Sequence, residues 1–289
     1  MKISTEIGSC ARRVGERKAI ELYAKAGFDA WDFTMMAMVS KRGPGQIFVS
    51  DHPLNGPCYL SFVRELKQIG LDNGIHCNQS HAPFPLCSPL IRDMMKRAIE
   101  CTAEAGGNIC IIHPDSTISI RENADMYHEL LPFAKSHGVK IATENMWDWD
   151  KELDQAKPVA CSNVPAFRAQ LDEVNDEAFV ACLDIGHAEM KGLGTSAVEL
   201  IHALGPKLQA LHLHDTDRWH DSHQIPFSMD IDWDAVTKAL ADIGYSGYFT
   251  LEADTYLKAF TEEDLPKGCK NMAEAAKKLA AMFVAHRGK

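Results

Sequence analysis

In residues 208–215, Leu208-Gln209-Ala210-Leu211-His212-Leu213-His214-Asp215, apolar and polar side chains alternate from Leu211 to His214 and the run ends on an acid. In a strand, side chains repeat with a period of two, so His212 and His214 share one face and Leu211 and Leu213 the other. Three further runs end in the same manner. Residues 139–145 (VKIATEN) carry Glu144, 181–187 (ACLDIGH) carry Asp184, and 247–253 (GYFTLEA) carry Glu252. Four successive candidate strands that all close on a carboxylate or an imidazole describe one site.

Working outward from these runs, short β-prone segments alternate with longer helical patterns, the signature of parallel βα units. Strands are expected at 3–7, 30–33, 75–79, 108–113, 139–144, 179–184, 208–212 and 248–252. Apolar residues recurring three and four apart mark helices at 16–26, 59–72, 90–105, 121–136, 233–243 and 271–286. No Pro/Ser-rich linker, tandem repeat or low-complexity tract divides the chain, so residues 1–289 read as a single domain. Eight βα units of this length most simply close into a (β/α)8 TIM barrel, whose functional groups sit at the C-terminal ends of strands. His81 after strand three, His113 at the end of strand four and His187 after strand six obey that rule. A doubly wound open sheet would instead gather function at one switch point.

The net charge of −10 argues against a nucleic-acid or anionic-membrane surface, because both require a basic footprint. Nine cysteines, an odd number without a C-x-x-C pair, lie mostly in apolar runs (Cys77, Cys101, Cys110, Cys182) and read as reduced, packed thiols. Residues 1–18 lack an apolar signal core, and no stretch of 18 uncharged apolar residues occurs. The expectation is a cytoplasmic protein. His76, His128, His137, His202 and His286 fall inside elements or on helix faces and read as structural.

Three carboxylates and one imidazole make a hard-to-borderline donor set that suits Mn²⁺ first, then Mg²⁺, Co²⁺ or Zn²⁺, and excludes a thiolate-type structural zinc. Such an ion chelates adjacent carbonyl and hydroxyl oxygens of a sugar and stabilises the enediolate that forms when the neighbouring carbon loses a proton. Glu144 and Glu252 are the candidate acid/base carboxylates and metal ligands together. A β-elimination or dehydration shares the same first step, and a non-catalytic sugar-binding barrel is the remaining alternative.

With these residues in place, the chain resembles the xylose-isomerase-like barrel superfamily, close in motif pattern to tagatose/psicose 3-epimerases, over nearly its whole length. That resemblance implies metal ligands at Glu144, Asp184, His212 and Glu252. Asp184 and His187 match the strand-six Asp-x-x-His motif, with His187 on substrate oxygens. His212, Asp215 and Arg218 match the strand-seven spacing, which ranks His212 above His214 as ligand and puts Arg218 on the substrate. Ile231-Asp232-Trp233 also fits. His81, His113 and His214 are expected around the substrate, and a homodimer or tetramer is implied. Within the same superfamily, endonuclease IV offers a rival pattern: His81 and His113 for one zinc, and His187, Asp221 and His223 for another. Against it stands the acidic balance, since residues 207–224 hold only two lysine or arginine residues, Lys207 and Arg218.

Phosphate sites of these barrels use glycine-rich loops after strands seven and eight. Neither 211–221 nor 251–260 contains a glycine, so a free sugar or sugar derivative is expected. Lys191 near Gly192 and Gly194 could meet an anion, and reads more simply as a surface lysine. The loop 40–57, punctuated by Gly43-Pro44-Gly45 and Asn55-Gly56-Pro57 and carrying Phe48, reads as a lid or a contact loop. Trp31, Trp147, Trp219 and Phe84 are candidates for the mouth, with the core as an alternative for Trp31.

Overall fold

The computed structural model describes residues 1–43 and 46–288. Eight parallel strands carry the site: β1 (Ile3–Thr5), β2 (Ala30–Thr34), β3 (His76–His81), β4 (Ile109–Ile111), β5 (Lys140–Glu144), β6 (Phe179–Asp184), β7 (Leu208–His212) and β8 (Phe249–Leu251). β2 to β7 form one six-stranded sheet in chain order, and β1 pairs with β8. Single parallel bridges, Glu6 to Asp32 and Leu213 to Leu251, connect β1 with β2 and β7 with β8. Every strand of the sequence reading is present, although β1, β4 and β8 are each shorter by two or more residues.

Alternation along the strands sorts the side chains. Ile109, Ile111, Ala142, Val180, Cys182 and Ala210 form a small inner apolar cluster, separate from the larger core between sheet and helices. Glu144, Asp184 and His212 continue the inner rows of β5, β6 and β7, with Asp184 opposite His212 in register. Trp31 and Phe33 flank the inward Asp32 and therefore face the helices, where both are fully buried. Trp31 is thus core and does not line the mouth.

Helix ends follow local chemistry. Ser119 and Glu122 form a reciprocal capping box at the start of Ile120–Ser136. Asn163 caps Val164–Val174, Ser196 caps Ala197–Leu204, and Asp232 caps Trp233–Asp242. The helix expected at 90–105 is split into Pro89–Arg92 and Met95–Ala105. The last helix starts at Leu265 instead of residue 271. Pro266 and Gly268 look like breakers in sequence. Proline is tolerated in a first helical turn, and a Cβ at Gly268 would stand only 2.8 Å from the Leu257 side chain, so glycine lets this turn pack closely.

Two antiparallel hairpins interrupt the βα alternation and had no counterpart in the sequence reading. One joins Trp147–Asp150 to Gln155–Pro158; the other joins Val39–Gly43 to Gln46–Val49 within the segment read as a loop. Pro44 and Gly45, part of its expected glycine-proline punctuation, lie outside the described residues. None of the nine cysteines is disulfide-bonded, and Cys77, Cys101, Cys110 and Cys182 are buried. No helix among the described residues is long and apolar enough to cross a membrane.

Candidate metal centre

Glu144, Asp184, His212 and Glu252 offer ligand atoms that all lie within 4.8 Å of one another. His212 is the hub. Its Nδ1 is 2.6 Å from Glu144 Oε1 and 3.3 Å from Glu252 Oε2. Burial disfavours charge on this ring, yet the Glu144 and Glu252 carboxylates outweigh it and hold His212 protonated well above the usual imidazole range. Burial likewise opposes the Glu144 charge, but His212, His113 and His81 keep its carboxyl well below the ordinary range. Glu252 behaves differently. Burial outweighs the nearby His212 and His223 rings and pushes its carboxyl up to about 7.

Asp184 illustrates how local folding builds the site. An acid at a strand end is commonly a helix cap, and Asp184 is one: its Oδ1 accepts from His187 N at 2.7 Å, starting the short turn Ile185–Ala188. That bond fixes the Asp-x-x-His spacing. Its Oδ2 is buried without a hydrogen-bond partner and remains available to the site. Asn145, which sequence reasoning missed, clamps the Asp184 backbone from both sides, donating to its carbonyl at 2.9 Å and accepting from its N–H at 2.8 Å. The imidazoles of His187 and His214 overcome the burial of Asp184 and hold its carboxyl at about 2.

Beside this tetrad lie two further clusters. His81, His113 and Glu144 converge, with His113 Nε2 2.9 Å from both His81 Nε2 and Glu144 Oε2. On the other flank, His187, His214 and His223 turn their Nε2 atoms toward Asp221 Oδ1 at 3.4, 3.6 and 3.0 Å. His187 Nδ1 donates to the Asn145 carbonyl at 3.0 Å and His223 Nδ1 to the Glu252 carbonyl at 2.7 Å, which orients both rings. Asp221 Oδ1 and His214 Nε2 are buried without hydrogen-bond geometry. Buried polar atoms that converge without bonding one another are what a cation site presents, so the donor set fits a divalent ion. Gly186 makes room for this flank: a Cβ there would lie 2.0 Å from the His214 ring.

All the expected histidines therefore gather at the site. Arg218 pairs its guanidinium with the Glu189 carboxylate. Lys191 stands 4.0 Å over the half-exposed Trp219 ring. Phe84 stacks on His113 at 4.5 Å and Trp147 meets His187 edge-on at 6.4 Å. Asp215 proves to be a scaffold. It is fully buried and accepts from the backbone of Thr216, Ser228, Met229 and Ile231 and from the Trp233 indole.

His187 gives the metal-free site a pH signature. Burial works against its charge, but Asp184 and Asp221 prevail and raise it from 6.5 to about 10. A raised imidazole stabilises the fold fully below its unfolded value and loses that contribution as pH climbs through the folded one. In chelator, the melting temperature is expected to fall between pH 7 and 10, and to fall less in His187→Asn. Equal slopes in both proteins would remove His187 as the cause.

The family model for the xylose isomerase-like TIM barrel matches residues 20–283, and the chain belongs to that family. A D-tagatose 3-epimerase-like protein superposes with a TM-score of 0.74 at 19% identity, covering 99% of both chains. An L-ribulose 3-epimerase gives 0.72 at 14% identity, covering 100% of this chain and 96% of that one. The IolI protein, solved with a zinc atom bound, gives 0.69 at 19% identity with 99% of each chain covered. In sequence, an uncharacterised protein of Methanocaldococcus jannaschii is 22% identical over 267 residues, 86% of this chain and 83% of its own length.

Proposed function

We propose that the protein is a divalent-cation-dependent sugar isomerase or epimerase that moves a carbon-bound proton next to the carbonyl of a free ketose or ketose derivative. The observation that carries this reading is the tetrad within 4.8 Å, in which two carboxyl groups, Glu144 and Glu252, converge beside the His212 ring as an acid/base pair requires. When bound, a divalent ion supplies Lewis acidity toward carbonyl and hydroxyl oxygens. Glu144, Asp184, His212 and Glu252 would hold it, with Mn²⁺ the first ion to test for this oxygen-rich set. Glu144 stays ionised and, with Glu252, forms the carboxylate pair of the proton transfer. His187, His81, His113 and His214 orient substrate oxygens, and Arg218 reaches them from its partner Glu189. Epimerase neighbours of the same fold support a small sugar as substrate. In this reading residues 1–289 act as one domain, the two single bridges complete a closed ring of eight strands, and the chain works as a homodimer or tetramer.

Metal analysis and a ketose panel with Mn²⁺ in deuterated water test the proposal. About one ion per chain and deuterium at the carbon beside the carbonyl are expected. A chain that takes up no ion and labels no ketose would sink it. Product analysis separates epimerisation from dehydration, which begins with the same proton.

A second reading draws on the two flanking clusters, which bring together the residues of a three-cation, endonuclease IV-like centre: His81, His113 and Glu144, then His187, Asp221 and His223, joined here by His214. The net charge of −10 opposes the grip on a polyanion that such an enzyme needs. Three zinc ions per chain with cleavage of abasic DNA would favour it.

A further inference from the structure

The inner face of these barrels is ordinarily filled by bulky branched apolar residues. Here the sector formed by β8, β1, β2 and β3 is polar instead. Ser4 Oγ donates to Asn78 Oδ1 at 2.6 Å, and Asn78 Nδ2 donates to Gln79 Oε1 at 3.2 Å and to Thr250 Oγ1 at 3.3 Å. Thr250 Oγ1 donates to the same Gln79 oxygen at 3.4 Å. With its oxygen receiving two donors, the Gln79 amide has one orientation, and its Nε2 donates to Asp32 Oδ2 at 2.8 Å. All five residues are buried. The row ends at His212, whose Nε2 lies 3.1 Å from that same Asp32 oxygen.

We propose that Asp32, clamped by Gln79, is the positioning residue that fixes the His212 ring with Nδ1 facing Glu144 and Glu252. The reasoning is steric and electrostatic. A carboxylate oxygen only accepts, so His212 Nε2 must donate to it, which leaves Nδ1 as the atom directed at the metal centre. Turning the ring by half a revolution would put a carbon in place of Nδ1 and another carbon against Asp32; the Nε2–Asp32 bond disfavours that rotamer. Asp32 Oδ1 has no hydrogen-bond partner, so the fully buried carboxyl group is held through Oδ2 by the Gln79 amide and the His212 ring. Carboxylate partners of ligating histidines set ring orientation, and their loss commonly lowers metal affinity by about 10- to 100-fold. Asp32 is not a ligand and touches no substrate in this assignment, which rests on the one-ion reading above.

The test measures Mn²⁺ affinity by competition with a chromogenic chelator, and the visible absorption of the Co²⁺-loaded protein, in wild type, Asp32→Ala, Asp32→Asn and Gln79→Leu. Asp32→Ala is expected to bind about 10- to 100-fold more weakly with altered Co²⁺ bands. Asp32→Asn, whose carbonyl oxygen can accept both donors as Oδ2 does, is expected to recover most of the affinity and the wild-type bands. Gln79→Leu, which frees the carboxylate to rotate, is expected to fall between them. Should Asp32→Ala not fold, the Asp32→Asn and Gln79→Leu pair decides. Wild-type affinity and bands in both Asp32→Ala and Gln79→Leu would overturn the positioning role, as would an Asp32→Asn protein that folds yet binds as weakly as Asp32→Ala. These results leave the metal centre standing, whereas a wild-type chain that binds no divalent ion removes the metal centre and this role together.

Discussion

Glu252→Gln is expected to lower turnover by about 10²- to 10⁴-fold with the fold intact, and to abolish exchange of the substrate's carbon-bound proton with solvent deuterium. Glutamine keeps the volume and one acceptor oxygen but has no titratable proton. The side chain sits immediately after β8, and only its carboxylate reaches His212. His223 bonds the Glu252 backbone carbonyl, which the substitution leaves in place. In the metal-free wild type the carboxyl titrates near 7, so it is mostly ionised above that pH and mostly protonated below it. Chelator-treated Glu252→Gln should melt at a temperature that responds less to pH between 5 and 8. Burying an ionisable acid costs stability as pH rises from 4.5 through 7, and the amide carries no such cost. A variant that still exchanged the proton at the wild-type rate would take the acid/base role away from Glu252.

Asp215→Ala is the second large effect, and it acts on folding. The segment between β7 and the helix Trp233–Asp242 holds three non-glycine residues in left-handed backbone, Arg218 at φ 68°, His223 at φ 41° and Phe227 at φ 73°. Each such residue costs about 1 kcal/mol or more, so the segment needs outside support. Asp215 supplies it, accepting from four backbone N–H groups and one indole in a fully buried position. Removing the acceptor leaves several buried donors unsatisfied at 1–3 kcal/mol each before relaxation, and a net loss of about 4 kcal/mol is expected. For a chain of this size that corresponds to a melting shift on the order of 8 °C. Asp215→Asn retains one good acceptor and should lose less. Because the same segment carries Asp221 and His223, the alanine variant should also loosen the flanking cluster while the tetrad, which the strand ends carry, keeps its ion. An unchanged melting temperature would show that the loop stands without Asp215.

How much of this was legible beforehand differs residue by residue. Period-two alternation put His212 and His214 on one face, and the strand-end rule put Glu144, Asp184 and Glu252 beside them. Both are local rules, and the structure brings these residues together. The Asp-x-x-His spacing has a local cause as well, because the cap bond from His187 N to Asp184 spans three residues. Asp32 was invisible for the opposite reason. Within AWDFT it looks like a polar interruption of an apolar strand, and its meaning comes from Gln79 and His212, 47 and 180 residues away in the chain. Asn145 and Glu189 were missed on the same ground. Arg218 matched its motif, yet its guanidinium is drawn to Glu189, a pairing that spacing does not encode. The hairpin at Val39–Gly43 and Gln46–Val49 escaped notice because its short runs show little apolar-polar alternation to read.

The chain by itself determined the succession of eight βα units and the identity of the side chains at their ends, because backbone periodicity and capping depend on neighbours a few residues apart. Tertiary structure alone decided which nitrogen of His212 faces the acids, which carboxyl is lifted toward neutrality and which is held at about 2. Those outcomes depend on burial and on charges contributed by different strands, and neither exists until the strands are assembled side by side.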